Sequence, residues 1–193
     1  MIKTENKKHR KLIDTAKELF FKHGIKRITI EEICEKSVVS KMTYYKHFSN
    51  KRDLVIKILD ELIDEGYNKY NSIIQKKIPF TEKIKSVIEF KLEAASGYSD
   101  AFIKEAADSD SYIYKHLMTK TAERTKSIEE MYDSGIKEKA ISPQFSREFF
   151  IYMMYKTGDL YNDETILQLY PDKEMRLSVI LNFFFSGIMG KLK

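Results

Sequence analysis

Apolar residues recur at helical spacing from one end of the chain to the other. Leu12, Ile13, Ala16, Leu19 and Phe20 fall on one face of a first helix, and the run closes at Gly24, a C-terminal stop signal. Thr29-Ile-Glu-Glu32 has the form of a capping box, in which the threonine hydroxyl accepts an early backbone N–H and the glutamate reaches back. Ile30, Ile33 and Cys34 supply the buried face of a second short helix, which Ser37, Val38 and Val39 interrupt. Ser40 is a good N-cap for a third helix ending near Phe48. Asn50 caps a fourth, with Asp53 as its reciprocal partner, and Leu54, Val55, Ile58, Leu59, Leu62 and Ile63 carry that helix onward.

The pattern stays helical beyond this point. It predicts a segment from Thr81 to Gly97, a short one from Ser99 to about Ala107, and a long one from Ser111 to about Asp133 stopped by Gly135. Ser142-Pro143 reads as a cap with proline at the first helical position, opening a helix to about Leu160. Pro171-Asp172 opens the last helix, ending near Gly190. No stretch alternates with strand period and no internal repeat is present, so the fold expected is all-α.

Composition narrows the function classes. A chain of 193 residues, 42% hydrophobic and 33% charged, is long enough for one domain or two small ones. The single cysteine, Cys34, cannot form an internal disulfide, which fits a reducing compartment. No leader pattern precedes Lys7, and the apolar stretch from Leu177 to Met189 is too short to span a bilayer, so a cytoplasmic protein with no membrane partner is expected. Residues 1–52 hold 14 Lys and Arg against 6 Asp and Glu, whereas the remainder holds 20 against 23. Such a distribution suggests a head that faces nucleic acid on a roughly neutral body, although a solvated lysine-rich surface gives the same count.

The segment Ser40-Lys-Met-Thr-Tyr-Tyr-Lys-His-Phe48 carries the chemistry. On a helix, Tyr44 and Phe48 lie four apart and can plug a core with Leu19, Phe20 and Ile33. Lys41, Met42, Tyr45 and Lys46 take the opposite broad face, with Thr43 and His47 at its margins. A helix docked by one side and offering cations, hydroxyls and an aromatic on the other suits the major groove. Lys51 opens the next helix, where its ammonium and the free N–H groups can hold a phosphate.

At these residues the sequence resembles a known family. The stretch Leu12 to Leu59 is similar to the N-terminal domain of TetR-family transcriptional regulators. The similarity lies in Ala16, Leu19 and Phe20 of helix one, Gly24, Thr29, the run Ser40 to Phe48, and Lys51 at matching mutual spacing. It implies a three-helix DNA-binding domain over residues 1–52, with the helix-turn-helix at about 29–48, joined by helix four to a helical sensing and dimerisation domain over 53–193. The resemblance further implies that Thr29 touches a phosphate, and that Lys41, Met42 and Thr43 approach bases or phosphates. Tyr45 and His47 then contact the backbone and Lys51 clamps a phosphate; Ser40 and Lys46 complete the DNA-binding set. Two positions depart from the family pattern. Val38 stands where glycine is usual and resists a left-handed conformation, and Met42 offers a thymine-methyl contact where a small residue is common.

The last two helices carry an apolar surplus of their own. Leu177 to Met189 is apolar nearly all round, and Phe145 to Met154 repeats the feature, which predicts a four-helix bundle between two copies. Phe149, Met153, Val179, Ile180, Phe183, Phe184 and Ile188 are the expected dimer contacts, with one deeply buried helix in a monomer as the plainer alternative. Tyrosines, phenylalanines and methionines between residues 67 and 155 can line an apolar pocket, and Glu89, Glu93 and Glu105 can oppose a cation, yet none of them singles itself out as a ligand contact. The four histidines form no metal-ligand pair, and no phosphate loop or nucleophile-base arrangement occurs, so neither an enzyme nor a cofactor is expected. The expected function is a DNA-binding repressor, homodimeric on a palindromic operator and released by a small apolar or amphipathic effector. The competing reading is a helical adaptor for protein partners.

Overall fold

The computed structural model describes residues 2–108, 110–123 and 125–189, with side chains from residue 7 onward. Among the described residues there are eleven helices and no strand. In chain order they are α1 (Ile2–His23), α2 (Ile30–Ser37), α3 (Lys41–His47), α4 (Lys51–Ile74), α5 (Phe80–Ser96), α6 (Asp100–Ala107), α7 (Tyr112–Ala122), α8 (Thr125–Lys137), α9 (Arg147–Tyr161), α10 (Glu164–Leu169) and α11 (Lys173–Met189). None of them is long and apolar enough to cross a membrane.

Contacts divide the chain into two units. The first comprises Met1–Glu65 and Gly97–Lys120, and the second Gly66–Ser96 and Thr121–Lys193. In the first, Leu12, Ile13, Ala16, Leu19 and Phe20 of α1 meet Ile33 of α2, Tyr44 of α3 and Leu54, Ile58 and Leu59 of α4; Phe102 of α6 and Ile113 of α7 close the same core. Each fully buried leucine or isoleucine stabilises this packing by about 1.5–3 kcal/mol relative to exposure. In the second unit, Phe80, Ile84 and Val87 of α5 pack with Met131, Phe150, Leu181, Phe184, Phe185 and Ile188.

Helix ends follow their caps, and here some expectations change. The segment expected from Ser111 to Asp133 is two helices, α7 and α8, with the Thr125 hydroxyl donating to the carbonyl of Ala122 between them. Gly135 does not stop α8 but lies inside it. A Cβ there would come within 2.6 Å of Ile141 and 2.9 Å of Phe80, so glycine permits a close approach. The chain turns instead at Lys139, whose φ is 56°. Ser142-Pro143 forms a turn before α9, and the true N-cap is Ser146, whose hydroxyl accepts the Phe149 N–H. Asp163 caps α10, a helix too short for periodicity to reveal. Asp172 caps α11 by accepting from Met175 N–H at 2.7 Å; the Gly190 expected near its end lies outside the described residues. Gly66 neither ends nor interrupts α4, which runs on to Ile74.

Candidate nucleic-acid interface

Local sequence builds the α2–turn–α3 element cap by cap. Thr29 sits in extended backbone and its hydroxyl accepts the Glu32 N–H at 3.1 Å, the threonine half of the capping box. Val38 closes α2 in the left-handed conformation (φ 54°, ψ 42°) despite its branched side chain, and the Val38 and Val39 N–H groups donate to Glu35 and Cys34 carbonyls. The turn therefore keeps the geometry that glycine would favour. The Val38 side chain escapes crowding by facing solvent, with 81% of its surface exposed. Ser40 then caps α3, accepting the Thr43 N–H at 3.2 Å and sharing a hydrogen bond with the Thr43 hydroxyl.

The face of α3 divides as its spacing predicts. Tyr44 is fully buried and Phe48 nearly so. The Tyr44 hydroxyl donates to the Asn50 carbonyl at 3.2 Å, and burial holds its acidity far below that of an ordinary phenol. Lys41, Met42, Tyr45 and Lys46 are all exposed, Met42 to 72%, and Thr43 is half-buried. Lys41 is not free, because its ammonium pairs with the Glu31 carboxylate of α2. That contact raises the lysine pKa and lowers the glutamate's.

His47 and Lys51 are placed less openly than a simple phosphate contact would ask. His47 is half-buried, its Nε2 is enclosed without a hydrogen-bond partner, and its ring lies 4.9 Å from that of His9 on α1. His9 in turn stacks on Phe48 at 5.3 Å. Lys51 is half-buried; its ammonium donates to the Lys26 carbonyl at 3.3 Å and lies 5.9 Å over the Phe20 ring. Burial lowers its pKa, with the Glu105 carboxylate opposing that shift. The start of α4 is well formed around it. Asn50 Oδ1 accepts the Asp53 N–H at 3.0 Å, while Asp53 reaches back to the N–H of Ser49 rather than of Asn50.

Sequence reasoning missed the support behind this surface. Glu105 of α6, by sequence a candidate to oppose a cation, instead uses its carboxylate to accept the N–H groups of Ile25 at 2.6 Å and Lys26 at 2.9 Å. It thus ties α6 to the turn that leaves α1. Gly24 makes room for it: the glycine φ is +83°, and a Cβ there would sit 2.9 Å from Glu105 Oε1. The Arg52 guanidinium also lies 4.5 Å over the Tyr112 ring of α7. Only the pairing across 80 residues tells Glu105's role, and a single sequence does not display it. Among the described residues no cluster of His, Cys, Asp and Glu is suited to hold a metal.

A family model described as bacterial regulatory proteins, tetR family, matches residues 12–58, which span α1 to α4 of this element. Over α1 to α4 the chain carries the helix-turn-helix domain of the TetR family. Among curated relatives, the HTH-type transcriptional repressor KstR2 of Rhodococcus jostii is 21% identical over 131 residues, covering 66% of this chain and 64% of the relative. The match thus spans less than two thirds of that protein's length. Among solved structures, reduced Escherichia coli NemR superposes with a TM-score of 0.73 at 14% identity, over 96% of this chain and all of that one. FadR of Bacillus subtilis, in complex with stearoyl-CoA, gives 0.70 at 18% identity over 93% of this chain and 98% of that one. These two share the TetR fold with this chain from end to end.

The expected dimer contacts divide in two. Ile180, Phe184 and Ile188 are buried, the last two within the core of the second unit. Val179 and Met153 are half-buried, whereas Phe149 and Phe183 are exposed, Phe183 to 82%. Tyr152 and Met175 are exposed on the same two helices, α9 and α11.

Proposed function

We propose that this TetR-family chain is a sequence-specific DNA-binding repressor, homodimeric on a palindromic operator and released by a small apolar or amphipathic effector. The observation that carries the reading is α3 itself. Its Tyr44 and Phe48 anchor it while Lys41, Met42, Tyr45 and Lys46 stand exposed on the other side. Those side chains supply cations for phosphates and apolar and hydroxyl groups for base edges. Thr29, Ser40, Thr43, His47 and Lys51 frame that face, with Lys51 reaching a phosphate once it leaves the Lys26 carbonyl. We assign DNA reading to residues 1–52, and sensing and dimerisation to residues 53–193.

Repression is supported by the similarity to the transcriptional repressor KstR2, and an amphipathic effector by the stearoyl-CoA in the B. subtilis FadR structure. Helix α4 offers the connection, since it begins at Lys51 and continues unbroken past Gly66. A monomer presenting Phe183, Phe149, Tyr152 and Met175 to water exposes more large apolar side chains than a solitary chain needs, which favours a partner copy there.

The test is duplex binding by the purified full-length chain across a salt series. Six to ten phosphate contacts per dimer predict a loss of about 10³–10⁵ in affinity between 50 and 200 mM salt. Lys46→Ala should weaken all duplexes alike, whereas Met42→Ala should alter sequence preference. A chain that binds no duplex above background at low salt would instead fit a helical adaptor.

A further inference from the structure

The turn that leaves α1, the first residue of α4 and the connection from α6 to α7 border a cleft of about 510 Å³ within the first unit. That volume lies in the range of small-molecule sites. Ile25 and Ile113 are core residues whose edges reach the cleft. Tyr112 adds an aromatic ring, with the Arg52 guanidinium stacked 4.5 Å over it. This side of the cleft suits an apolar body of modest size.

Four charged side chains also line the cleft, and their needs differ. Lys26 and Asp108 pair with each other at 3.3 Å. Asp108 also accepts the Asp110 N–H, and the Asp110 side chain is exposed to water. Lys51 is half-buried and has no ion-pair partner among the described residues; its ammonium donates to the Lys26 carbonyl at 3.3 Å. Glu105 acts on it only from beyond ion-pair distance, its carboxylate held by the Ile25 and Lys26 N–H groups. A neutral carbonyl is a weaker partner for an ammonium than a carboxylate is.

We propose that this cleft binds a small organic acid with an aromatic or branched body, its carboxylate taking the Lys51 ammonium from the Lys26 carbonyl while the body lies against Ile25, Tyr112 and Ile113. A cationic ligand finds no equivalent, because Asp108 is committed to Lys26 and Lys51 repels a second cation. The acid and a DNA phosphate compete for one ammonium, so occupancy weakens duplex binding at the clamp itself. This competition rests on the DNA-reading role given to Lys51 above; occupancy of the cleft does not.

Titration of the full-length protein with cinnamate, cinnamyl alcohol and cinnamylammonium, followed by backbone amide resonances, tests the site. Cinnamate should shift the amides of Ile25, Lys26, Tyr112 and Ile113 and bind about tenfold more tightly than the alcohol, the scale of one charge-assisted hydrogen bond. The ammonium compound should bind no better than the alcohol. Lys51→Met should equalise acid and alcohol, and Lys51→Arg should keep the preference. Shifts absent from these amides, equal binding of acid and alcohol by the wild type, or an undiminished preference in Lys51→Met would each overturn the site. The wild-type comparison decides the matter by itself should Lys51→Met fail to fold.

Duplex binding at constant ionic strength then tests the competition. Saturating cinnamate should weaken the wild type by as much as Lys51→Met does, and should not weaken that variant further. Cleft shifts with duplex affinity unchanged would overturn the competition. The amide titrations contain no DNA, so failure of the chain to bind any duplex would reject the repressor reading and leave the site standing.

Discussion

Glu31 of α2 and Lys41 of α3 form an ion pair across the helix-turn-helix, on the face that would meet DNA. The pair is exposed on both sides, so its contribution to folding is small. On the proposed DNA-reading face it would occupy a lysine that a phosphate could engage and would set a negative charge beside the duplex. Glu31→Gln should therefore tighten duplex binding by roughly two- to fivefold at low salt, with the gain shrinking as salt rises. Electrophoretic mobility shifts at two ionic strengths would decide the matter. Unchanged affinity would mean that Lys41 does not approach a phosphate.

Val38 makes a second, purely conformational prediction. Its φ of 54° places a β-branched residue in the left-handed region, which costs roughly 1–2 kcal/mol, and its side chain, exposed to 81%, recovers little by packing. Glycine removes that strain but gives back part of the gain as chain entropy in the unfolded state. Val38→Gly should stabilise the protein by about 0.5–1 kcal/mol in urea denaturation. A loss of stability would show that the valine side chain makes contacts in solution that offset the strain.

The Glu105 carboxylate holds two backbone N–H groups of the turn after α1, one of them half-buried. Removing it leaves those donors to water or to nothing. Glu105→Ala should cost about 1–2 kcal/mol, and Glu105→Gln less, since an amide oxygen still accepts. Hydrogen exchange at Ile25 and Lys26 should accelerate in both variants, most in the alanine.

Where the sequence was legible, the reason is periodicity and capping. The buried faces of α1 to α4 could be read from Leu12, Ile13, Tyr44 and Ile58 because each lies within a few residues of its helical partners. Ser40 and Thr29 announced their caps for the same reason. What was hidden depends on distant partners. Gly135 looks like a helix stop until Ile141 and Phe80 are seen pressing on it. Pro143 looks like a first helical residue, yet Ser146 with its bond to Phe149 is the cap the chain uses. Lys51 reads as an open clamp because the Lys26 carbonyl that holds it lies 25 residues away. The same holds for Phe184: an all-round apolar helix does not say which of its faces the chain covers by itself.

Acidification should act on the contact between α1 and α3. His9 packs against His47 and Phe48, and its pKa is lowered first by burial and then by His47, with Lys57 and Arg10 acting in the same sense and Glu61 against. A group whose folded pKa is depressed and whose neutral form is the folded one loses stability as pH falls through its unfolded value, near 6.5. The melting temperature should therefore drop between pH 7.5 and pH 5.5, the range in which an imidazole titrates. His9→Phe, which preserves the stack on Phe48, should show a smaller drop. Equal drops in both proteins would assign the effect to other groups.

The last prediction separates two neighbouring phenylalanines. Phe184 is nearly buried within the second unit's core, beside Phe150 and Phe185, whereas Phe183 exposes 82% of its surface. If α9 and α11 meet their counterparts in a second copy, the exposed ring is the one that dimerisation would cover, together with Phe149, Tyr152 and Met175. Phe183→Glu should then yield a folded monomer by sedimentation at micromolar concentration, with helicity intact and duplex affinity sharply reduced. Phe184→Ala should instead cost about 3–5 kcal/mol of folding stability, because it empties a core position. A Phe183→Glu protein that remains a stable dimer would place the interface on another surface, and a wild type that sediments as a monomer would remove it altogether.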